Sequence, residues 1–363
     1  MRRCPHPVPT IRLASDLRTT VVVMTTTPRP TTRLTVRGSD DLLAAAPVLL
    51  GFWPEQDVVL MTFGARHPFH ARVDLPPLAA QRPAVRRELA DVLLDPARRH
   101  GATHVVLLYY SDEPAAAEAV HRSLRRACRR LGLVVITALL VDRTHYRDLE
   151  HPDPDERHRR CPYDVAAHPF VLEALVSGRL VHRSRSDLVA SLEPDPVAVA
   201  AVAAALLAGR YADAGVPTSG RAIREAGEWV HHAVHDLVAD GALPADADLA
   251  RLLWVMQSVR VRDAAWAHIT GRTALAHVRL WTDAVRRAPE TLVAAPAALL
   301  GWAAWQAGDG ALAWVAVDRC TRAEPGYRMA DQLAVILQGA VPPQTWEGGF
   351  AWDRGLPDER RIS

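Results

Sequence analysis

TVRGSDDLLAAAPVLLGFWPEQDVVLMTFGARHPFHARVDLPP, residues 35–77, predicts a short helix, a turn and two strands, and so decides how the fold begins. Ser39 is a residue type that favours the helix N-cap position. Asp40 and Asp41 follow it, where the helix dipole favours negative charge. Pro47 and Gly51 are predicted to break the apolar run LLAAAPVLLG into short pieces.

The second part of this stretch predicts a hairpin. Residues 58–63 form an apolar run, as expected of a strand whose two faces are both buried. Gly64-Ala65-Arg66 predicts a tight turn, and residues 69–75 then alternate between apolar and polar side chains. An alternation of period two indicates a strand with one face toward the core.

Four segments of the chain resemble the domain-of-unknown-function family 4192. They are RLTVRGSDDLLAAAPVLLGFWPEQDVVLMTF with HARVDLPP, THVVLLYYSDEP, YDVAAHPFVLEALVSGRLVHRSRSDLVASLEP and LLGWAAWQAGDGALAWVAVDRCTRAEPGYRMADQLAVILQGAVPP. The resemblance runs from about Thr32 to Pro343 and implies an actinobacterial protein. It implies no catalytic residues, because the family has no established activity. Similar members often carry a cysteine-rich patch before the AAHPF segment, of which only Cys161 remains here.

Composition predicts a globular cytoplasmic protein of about two domains. The chain has 363 residues, 49% of them hydrophobic, and a formal net charge of +2. So small a charge favours neither a nucleic-acid partner nor a membrane partner. The four cysteines lie far apart without a CxxC pair, which indicates reduced thiols.

Residues 1–32 are predicted to be a disordered lead-in. They contain a short apolar run, VVVM, but its charged neighbours make it unsuitable as the core of a signal peptide. The stretch TTTPRPTTR follows this run. No apolar run approaches the roughly 20 residues needed to cross a bilayer. Whether Met1 or Met24 is the true start stays open.

The next segments predict a strand, a helix and a strand that form a βαβ unit. A helix is predicted over 84–100, strands over 103–110 and 133–141, and an amphipathic helix over 115–131. This order requires a parallel strand pair with a right-handed crossover.

The rest of the chain predicts loops and helices. Residues 144–164 are polar and proline-bearing, so we expect irregular structure there, followed by helices over 165–176 and 184–192. EPDP at 193–196 predicts a boundary between an α/β domain (33–195) and a helical domain (196–343), with a flexible tail over 344–363.

The predicted fold class is α/β plus all-α. It comprises a small mixed sheet with flanking helices, followed by a helical, tetratricopeptide-like domain. The repeat signal is one helix pair with Leu300-Gly301, Gly308, Ala313, Val317 and Pro325 at the offsets of a tetratricopeptide repeat.

No motif predicts a cofactor, a metal or a catalytic residue. The chain has no GxxxxGK[ST], no GxSxG, and no GxGxxG after a strand. Glu228, His231 and His235 share a helical face, but di-iron bundles need a second Glu-x-x-His copy in the same bundle, and the predicted helical domain contains no other. We therefore interpret these histidines as a solvent-facing group.

One candidate ligand site follows from the predicted topology. Ligands of open α/β sheets bind beyond the carboxyl ends of the strands. Asp112 and Glu113 follow one predicted strand, and Asp142 and Arg143 follow the next. If the two strands are neighbours these side chains meet at one edge, although helix capping explains the acidic pair equally well.

Two functions stay open from the sequence. The first is a non-enzymatic cytoplasmic binding or scaffolding protein, with a protein or small-molecule partner and the helical domain as partner surface. The second is an enzyme that acts on a small charged molecule at the sheet edge. The absence of a nucleophile, metal or phosphate motif favours the first.

Overall fold

The structure is a computed structural model that describes residues 36–176, 181–346 and 349–356. These residues pack as two compact units. The first extends to Asp187 and includes Gln338–Ala340, and the second comprises Leu188–Leu337 and the residues from Val341 onward. The predicted lead-in over 1–32 lies outside the described residues, and the boundary at 195/196 stays a prediction. Among the described helices, none combines the length and the apolar character that crossing a bilayer requires.

The first unit contains a six-stranded mixed sheet in the order β2-β1-β3-β4-β5-β6. Its strands are β1 Asp57–Phe63, β2 His70–Asp74, β3 His104–Tyr110, β4 Val134–Val141, β5 His145–Asp148 and β6 Cys161–Pro162. Its helices are α1 Ser39–Leu50, α2 Pro83–Arg99, α3 Pro114–Leu131, α4 Pro169–Val176 and α5 Arg185–Ala190, the last of which continues into the second unit. Short 3-10 helices cover Leu78–Ala80 and Glu156–His158.

The predicted hairpin and βαβ unit are both confirmed. β1 pairs antiparallel with β2, and Val58 lies opposite Val73. β3 and β4 pair in parallel, with α3 as the crossover between them. The mixed character of the sheet follows, because β3 pairs antiparallel with β1 on its other side.

Two predictions for α1 that were made from residue type were wrong, the N-cap at Ser39 and the break at Pro47. The N-cap is Gly38 rather than Ser39, and Asp41 instead accepts a hydrogen bond from the Arg37 backbone N–H at 2.5 Å. Pro47 lies inside the helix, which ends only at Gly51 in the left-handed conformation. Because α1 is buried along most of its length, packing outweighs the hydrogen bond that a helical proline loses.

The prediction of irregular structure over 144–164 was wrong for two strands. β5 pairs antiparallel with β4, and β6 pairs with β5. The buried side chains of Tyr146 and Cys161 lie opposite each other in this pairing. Strands of four and two residues leave almost no period in the sequence, so their formation depends on the exposed edge of β4.

One face of the sheet carries the core of the first unit. Alternate residues of β1, β3 and β4 pack there against α2 and α3, and Leu93, Leu107 and Leu124 are fully buried. The face opposite is buried as well, since Val59 and Leu108 are inaccessible to solvent. The continuous apolar runs of the central strands follow from this burial on both sides.

A buried polar chain joins β3, α3 and the segment after β5. The Tyr109 hydroxyl lies 3.2 Å from His121 Nδ1, and His121 Nε2 lies 3.2 Å from Glu150 Oε1. Arg125 Nε lies 2.8 Å from the same carboxylate oxygen. Burial is the largest influence on the pKa of Glu150 and raises it, but His121 and Arg125 outweigh burial, so the pKa lies below its ordinary value. The carboxylate therefore stays charged and holds the segment after β5 against α3.

The second unit is helical throughout its regular elements, as predicted. Its helices are α6 Pro196–Ala208, α7 Tyr211–Ala214, α8 Gly220–Asp240, α9 Asp246–Val255, α10 Val259–Trp266, α11 Ala274–Arg287, α12 Ala294–Gln306, α13 Gly310–Ala323 and α14 Arg328–Gln338, with 3-10 turns at Glu290–Leu292 and Pro343–Thr345. α12 packs against α13, and Gly301 lies where space is tight, since a Cβ there would lie 2.9 Å from Leu333 Cδ2 of α14 and 3.4 Å from the Ala313 carbonyl oxygen of α13. The tetratricopeptide-like character stays a prediction.

Part of the predicted flexible tail packs against the second unit. Trp352 is buried, and Trp346 stacks on Trp266 with ring centroids 5.4 Å apart. Residues 347–348 and 357–363 of the predicted tail lie outside the described residues.

We expect Gly64→Ala to destabilise the first unit more than Gly101→Ala. Both glycines have positive φ, +72° and +69°, so alanine is strained at either position by about 1–2 kcal/mol. Only at position 64 would the new Cβ meet another group, Thr103 Oγ1 at 2.0 Å, and this overlap adds about 1–3 kcal/mol. Urea unfolding of both variants measures the difference. Equal losses would show that the Thr103 contact contributes nothing.

Candidate functional site

The carboxyl ends of β3 and β4 lie side by side, as the candidate site requires. The two strands are parallel neighbours, and Tyr110 lies opposite Val141 at their ends. The pairing extends one residue further, because the Ser111 backbone N–H donates to the Val141 carbonyl at 3.0 Å. Residues that follow the two strands therefore emerge at one edge of the sheet.

A cleft of about 530 Å³ opens at this edge. Three of the four predicted site residues line it, namely Asp112, Asp142 and Arg143. The lining is completed by residues from the start of α3 and from the β4–β6 region: Ser111, Pro114, Leu140, His145, Tyr146, Arg147, His158 and Arg160.

Glu113 is the predicted site residue that the structure does not bring to the cleft. Its Oε2 accepts a hydrogen bond at 3.0 Å from the backbone N–H of Leu78, at the start of a 3-10 helix. Its carboxylate thus connects α3 to the segment that follows β2.

Asp142 organises the turn between β4 and β5. Its Oδ1 accepts backbone N–H groups from Thr144 at 2.9 Å and His145 at 2.7 Å, and its Oδ2 pairs with Arg160. Burial alone raises the pKa of Asp142, but these donors together outweigh it and lower the pKa below its ordinary value. The carboxylate is therefore ionised at neutral pH, and it orients the Arg160 guanidinium at the cleft.

Arg143 is the most accessible cation of the cleft. Its side chain is 87% exposed, and its nearest acidic partner, Asp112, lies 3.6 Å away and is 59% exposed. Exposed ion pairs of this kind contribute about 0–1 kcal/mol, so the guanidinium can turn toward a ligand at little cost.

Arg147 and Arg160 are lining residues that the sequence analysis missed. Arg147 lies on β5 and pairs with Glu118 of α3, and Arg160 immediately precedes β6. Both fall in the stretch interpreted as irregular. The alternation in HYRD, with Tyr146 buried between the polar residues His145 and Arg147, was the available signal.

The cleft favours anions. Three arginines line it against two aspartates, and a guanidinium can bind a carboxylate or a phosphate through two parallel hydrogen bonds. Pro114, the first residue of α3, also lines it, so the positive end of the helix dipole lies at the same edge.

The histidines of α8 have different hydrogen-bond partners. His232 Nδ1 lies 2.7 Å from the Glu228 carbonyl, and His235 Nδ1 lies 3.0 Å from Asp236 Oδ1. His231 Nδ1 instead lies 2.8 Å from Nε2 of His268, beyond α10. Within the described ranges, no group of three or more His, Cys, Asp or Glu residues is arranged to hold a metal ion.

Three histidines of the second unit, His231, His268 and His277, have pKa values below the ordinary value. Burial, together with the neighbouring imidazoles, lowers the pKa of His268 to about 4 and that of His231 below its ordinary value. Burial lowers the pKa of His277, on α11, to about 3. Folding therefore disfavours the protonated form of all three rings.

We expect the stability of the second unit to fall as the pH falls from about 6.5 toward 4. In the unfolded chain histidine takes up a proton near pH 6.5, whereas the folded pKa values lie lower, so protons favour unfolding in this window. His268→Gln removes one such group and should flatten the dependence of the unfolding free energy on pH. Urea unfolding at pH 7.5 and 5.0 measures it, and parallel curves for wild type and variant would contradict the assignment.

Comparison with known proteins supplies a family and no function. The family model described as "Domain of unknown function (DUF4192)" matches residues 40–344, which include most of both units. No curated protein and no solved structure matches the chain. The chain belongs to the DUF4192 family.

Proposed function

We propose that this protein is a non-enzymatic binding protein whose α/β unit holds a small anionic molecule. The observation that carries the proposal is the cleft beyond β3 and β4, which is lined by Arg143, Arg147 and Arg160. Its volume of about 530 Å³ lies within the range of about 300–1,000 Å³ that is usual for small-molecule sites.

An anionic ligand can replace a protein carboxylate beside the arginines of the cleft. In the protein alone, Arg143 faces Asp112 and Arg160 faces Asp142. A ligand phosphate or carboxylate can take the place of Asp112 beside Arg143, because that pair is wide and exposed. Arg160 is held by a charged, hydrogen-bonded Asp142, so its guanidinium is already oriented when the ligand arrives.

The lining favours binding over catalysis. The Ser111 hydroxyl, which lines the cleft, donates to Gln56 Oε1 at 2.9 Å and has no histidine among its hydrogen-bond partners. No cysteine lines the cleft. An enzyme at this edge would need a nucleophile or an acid–base pair aimed at the bound molecule.

We place this activity in the cytoplasm. Cys128 and Cys320 are buried thiols rather than halves of disulfides, as is usual in a reducing compartment. Burial raises the pKa of Cys128 to about 11 and that of Cys320 to about 12, so neither is a reactive thiolate at neutral pH.

We expect Arg143→Ala and Arg160→Ala each to weaken the binding of a small anion about tenfold or more. Each removes a charged donor to the ligand, and such bonds contribute about 1.5–3 kcal/mol. Isothermal titration with inorganic phosphate, pyrophosphate and citrate measures the affinities. Arg130→Ala is the matched control, because it removes an exposed arginine at the opposite end of α3 and should leave the affinity unchanged.

Two outcomes would contradict the proposal. If none of the three anions binds, or if Arg130→Ala weakens binding as much as Arg143→Ala, the cleft is not the site. A bound anion recovered from wild type as a converted product would instead support the enzyme that the sequence left open. Mass spectrometry of the ligand after incubation distinguishes these cases.

A further inference from the structure

Residues 341–346 and 349–356, called the 341–356 segment, lie along the second unit in a largely non-helical conformation. Side chains of α12 bind the main chain at its beginning. Trp305 Nε1 donates to the Val341 carbonyl at 3.1 Å, and Gln306 Nε2 donates to the Pro343 carbonyl at 3.4 Å.

The other end of the segment is bound in the same way. Arg260 of α10 donates to the Arg354 carbonyl at 2.7 Å, and Arg224 of α8 donates to the Leu356 carbonyl at 3.0 Å. Arg224 also lies 3.5 Å from the Asp353 carboxylate. Four helix side chains therefore hold main-chain carbonyls, which every polypeptide possesses.

Aromatic side chains anchor the middle of the segment. Trp346 lies nearly parallel to Trp266, with an interplanar angle of 9° and a centroid distance of 5.4 Å. It meets Trp302 edge to face at 5.0 Å, and Phe350 meets Trp266 at 4.8 Å. Aromatic pairs in such arrangements contribute about 0.5–1.5 kcal/mol each beyond the area they bury.

Trp352 occupies a seat that only glycine leaves open. A Cβ at position 227, on α8, would lie 2.2 Å from the Trp352 ring, closer than two unbonded carbon atoms can approach. The indole is buried at 8% exposure, with its centroid 6.4 Å from the His231 ring. Gly227 thus shapes the surface of α8 for a large aromatic side chain.

The segment leaves two donors of its seat unused. The indole N–H groups of Trp266 and Trp302 are buried and have no hydrogen-bond partner among the described residues. A buried donor without an acceptor costs about 1–3 kcal/mol. An occupant that placed a carbonyl or carboxylate there would bind this surface better than the 341–356 segment does.

Extended peptide segments are recognised elsewhere by docking in aromatic-lined grooves, and this surface has aromatic contacts together with side-chain donors to the backbone. We propose that the second unit carries a peptide-binding groove, occupied by its own 341–356 segment, that accepts an extended partner peptide. The partner carries aromatic anchors at the spacing of Trp346, Phe350 and Trp352. The protein's own segment acts as a tethered competitor, and the proposal does not depend on the anion cleft of the first unit.

Because the 341–356 segment is covalently attached to the groove that it occupies, it competes with any free peptide. A short tether gives the segment an effective concentration of about millimolar, so a free peptide competes poorly with the wild-type chain. Weakening one anchor of the tethered segment raises the fraction of open groove, and the apparent affinity for a free peptide rises in proportion.

The experiment uses the full chain and a fluorescent peptide of sequence VPPQTWEGGFAWDRGL, residues 341–356. Fluorescence anisotropy is measured with wild type and with Trp352→Ala, after circular dichroism shows that each is folded. We expect the variant to bind the peptide at least tenfold more tightly than wild type. Phe350→Ala, which truncates a less buried anchor, is expected to show a smaller gain and serves if Trp352→Ala does not fold.

Two matched controls identify the groove. Adding Gly227→Ala to Trp352→Ala should abolish the gain, because the new Cβ blocks the seat of the peptide's tryptophan. A peptide in which the residue corresponding to Trp352 is replaced by alanine should also show no gain in affinity for the Trp352→Ala variant. The proposal is overturned if folded variants bind no more tightly than wild type, or if Gly227→Ala leaves the gain intact. Dimers of wild type that exchange this segment, without binding free peptide, would also overturn it.

Discussion

The parallel pairing of β3 with β4 is the constraint on which the first unit depends. A parallel pair requires a crossover, and α3 supplies it while covering the core face of both strands. The same geometry brings Asp112 and Arg143 out at one edge, where the start of α3 also lies. Core packing and cleft formation therefore have one cause. A change that separated these two strands would remove both.

Ion pairs position the residues that line the cleft at this edge of the sheet. Asp142 closes the turn to β5 and holds Arg160, while Glu118 of α3 holds Arg147. Away from the cleft, Glu150 ties the segment after β5 to His121 and Arg125 of α3. The arginines are thereby positioned before any ligand binds, which reduces the ordering cost of binding.

The second unit is organised differently, with close packing at two helical glycines. Gly301 of α12 lies against Leu333 and the Ala313 carbonyl, and Gly227 of α8 lies beneath the ring of Trp352. Side-chain donors then hold main-chain carbonyls of the 341–356 segment, at Val341 for example. Such contacts involve the backbone, which every polypeptide has, whereas the aromatic contacts involve particular side chains. The two recognition surfaces that we propose differ accordingly, one for an anion and one for an extended chain.

The sequence by itself determined the three central strands, their flanking helices and the helical character of the second unit. Each has an apolar run or a helical period long enough to read, and the strand–helix–strand order implied that Asp112, Asp142 and Arg143 share an edge. Only the tertiary structure decided β5 and β6, because strands of four and two residues form on the edge of β4. It also decided that Arg147 and Arg160 join the cleft, that Glu113 turns away to Leu78, and that Trp352 is buried. These outcomes depend on contacts between residues far apart in the chain, which leave no local pattern in the sequence.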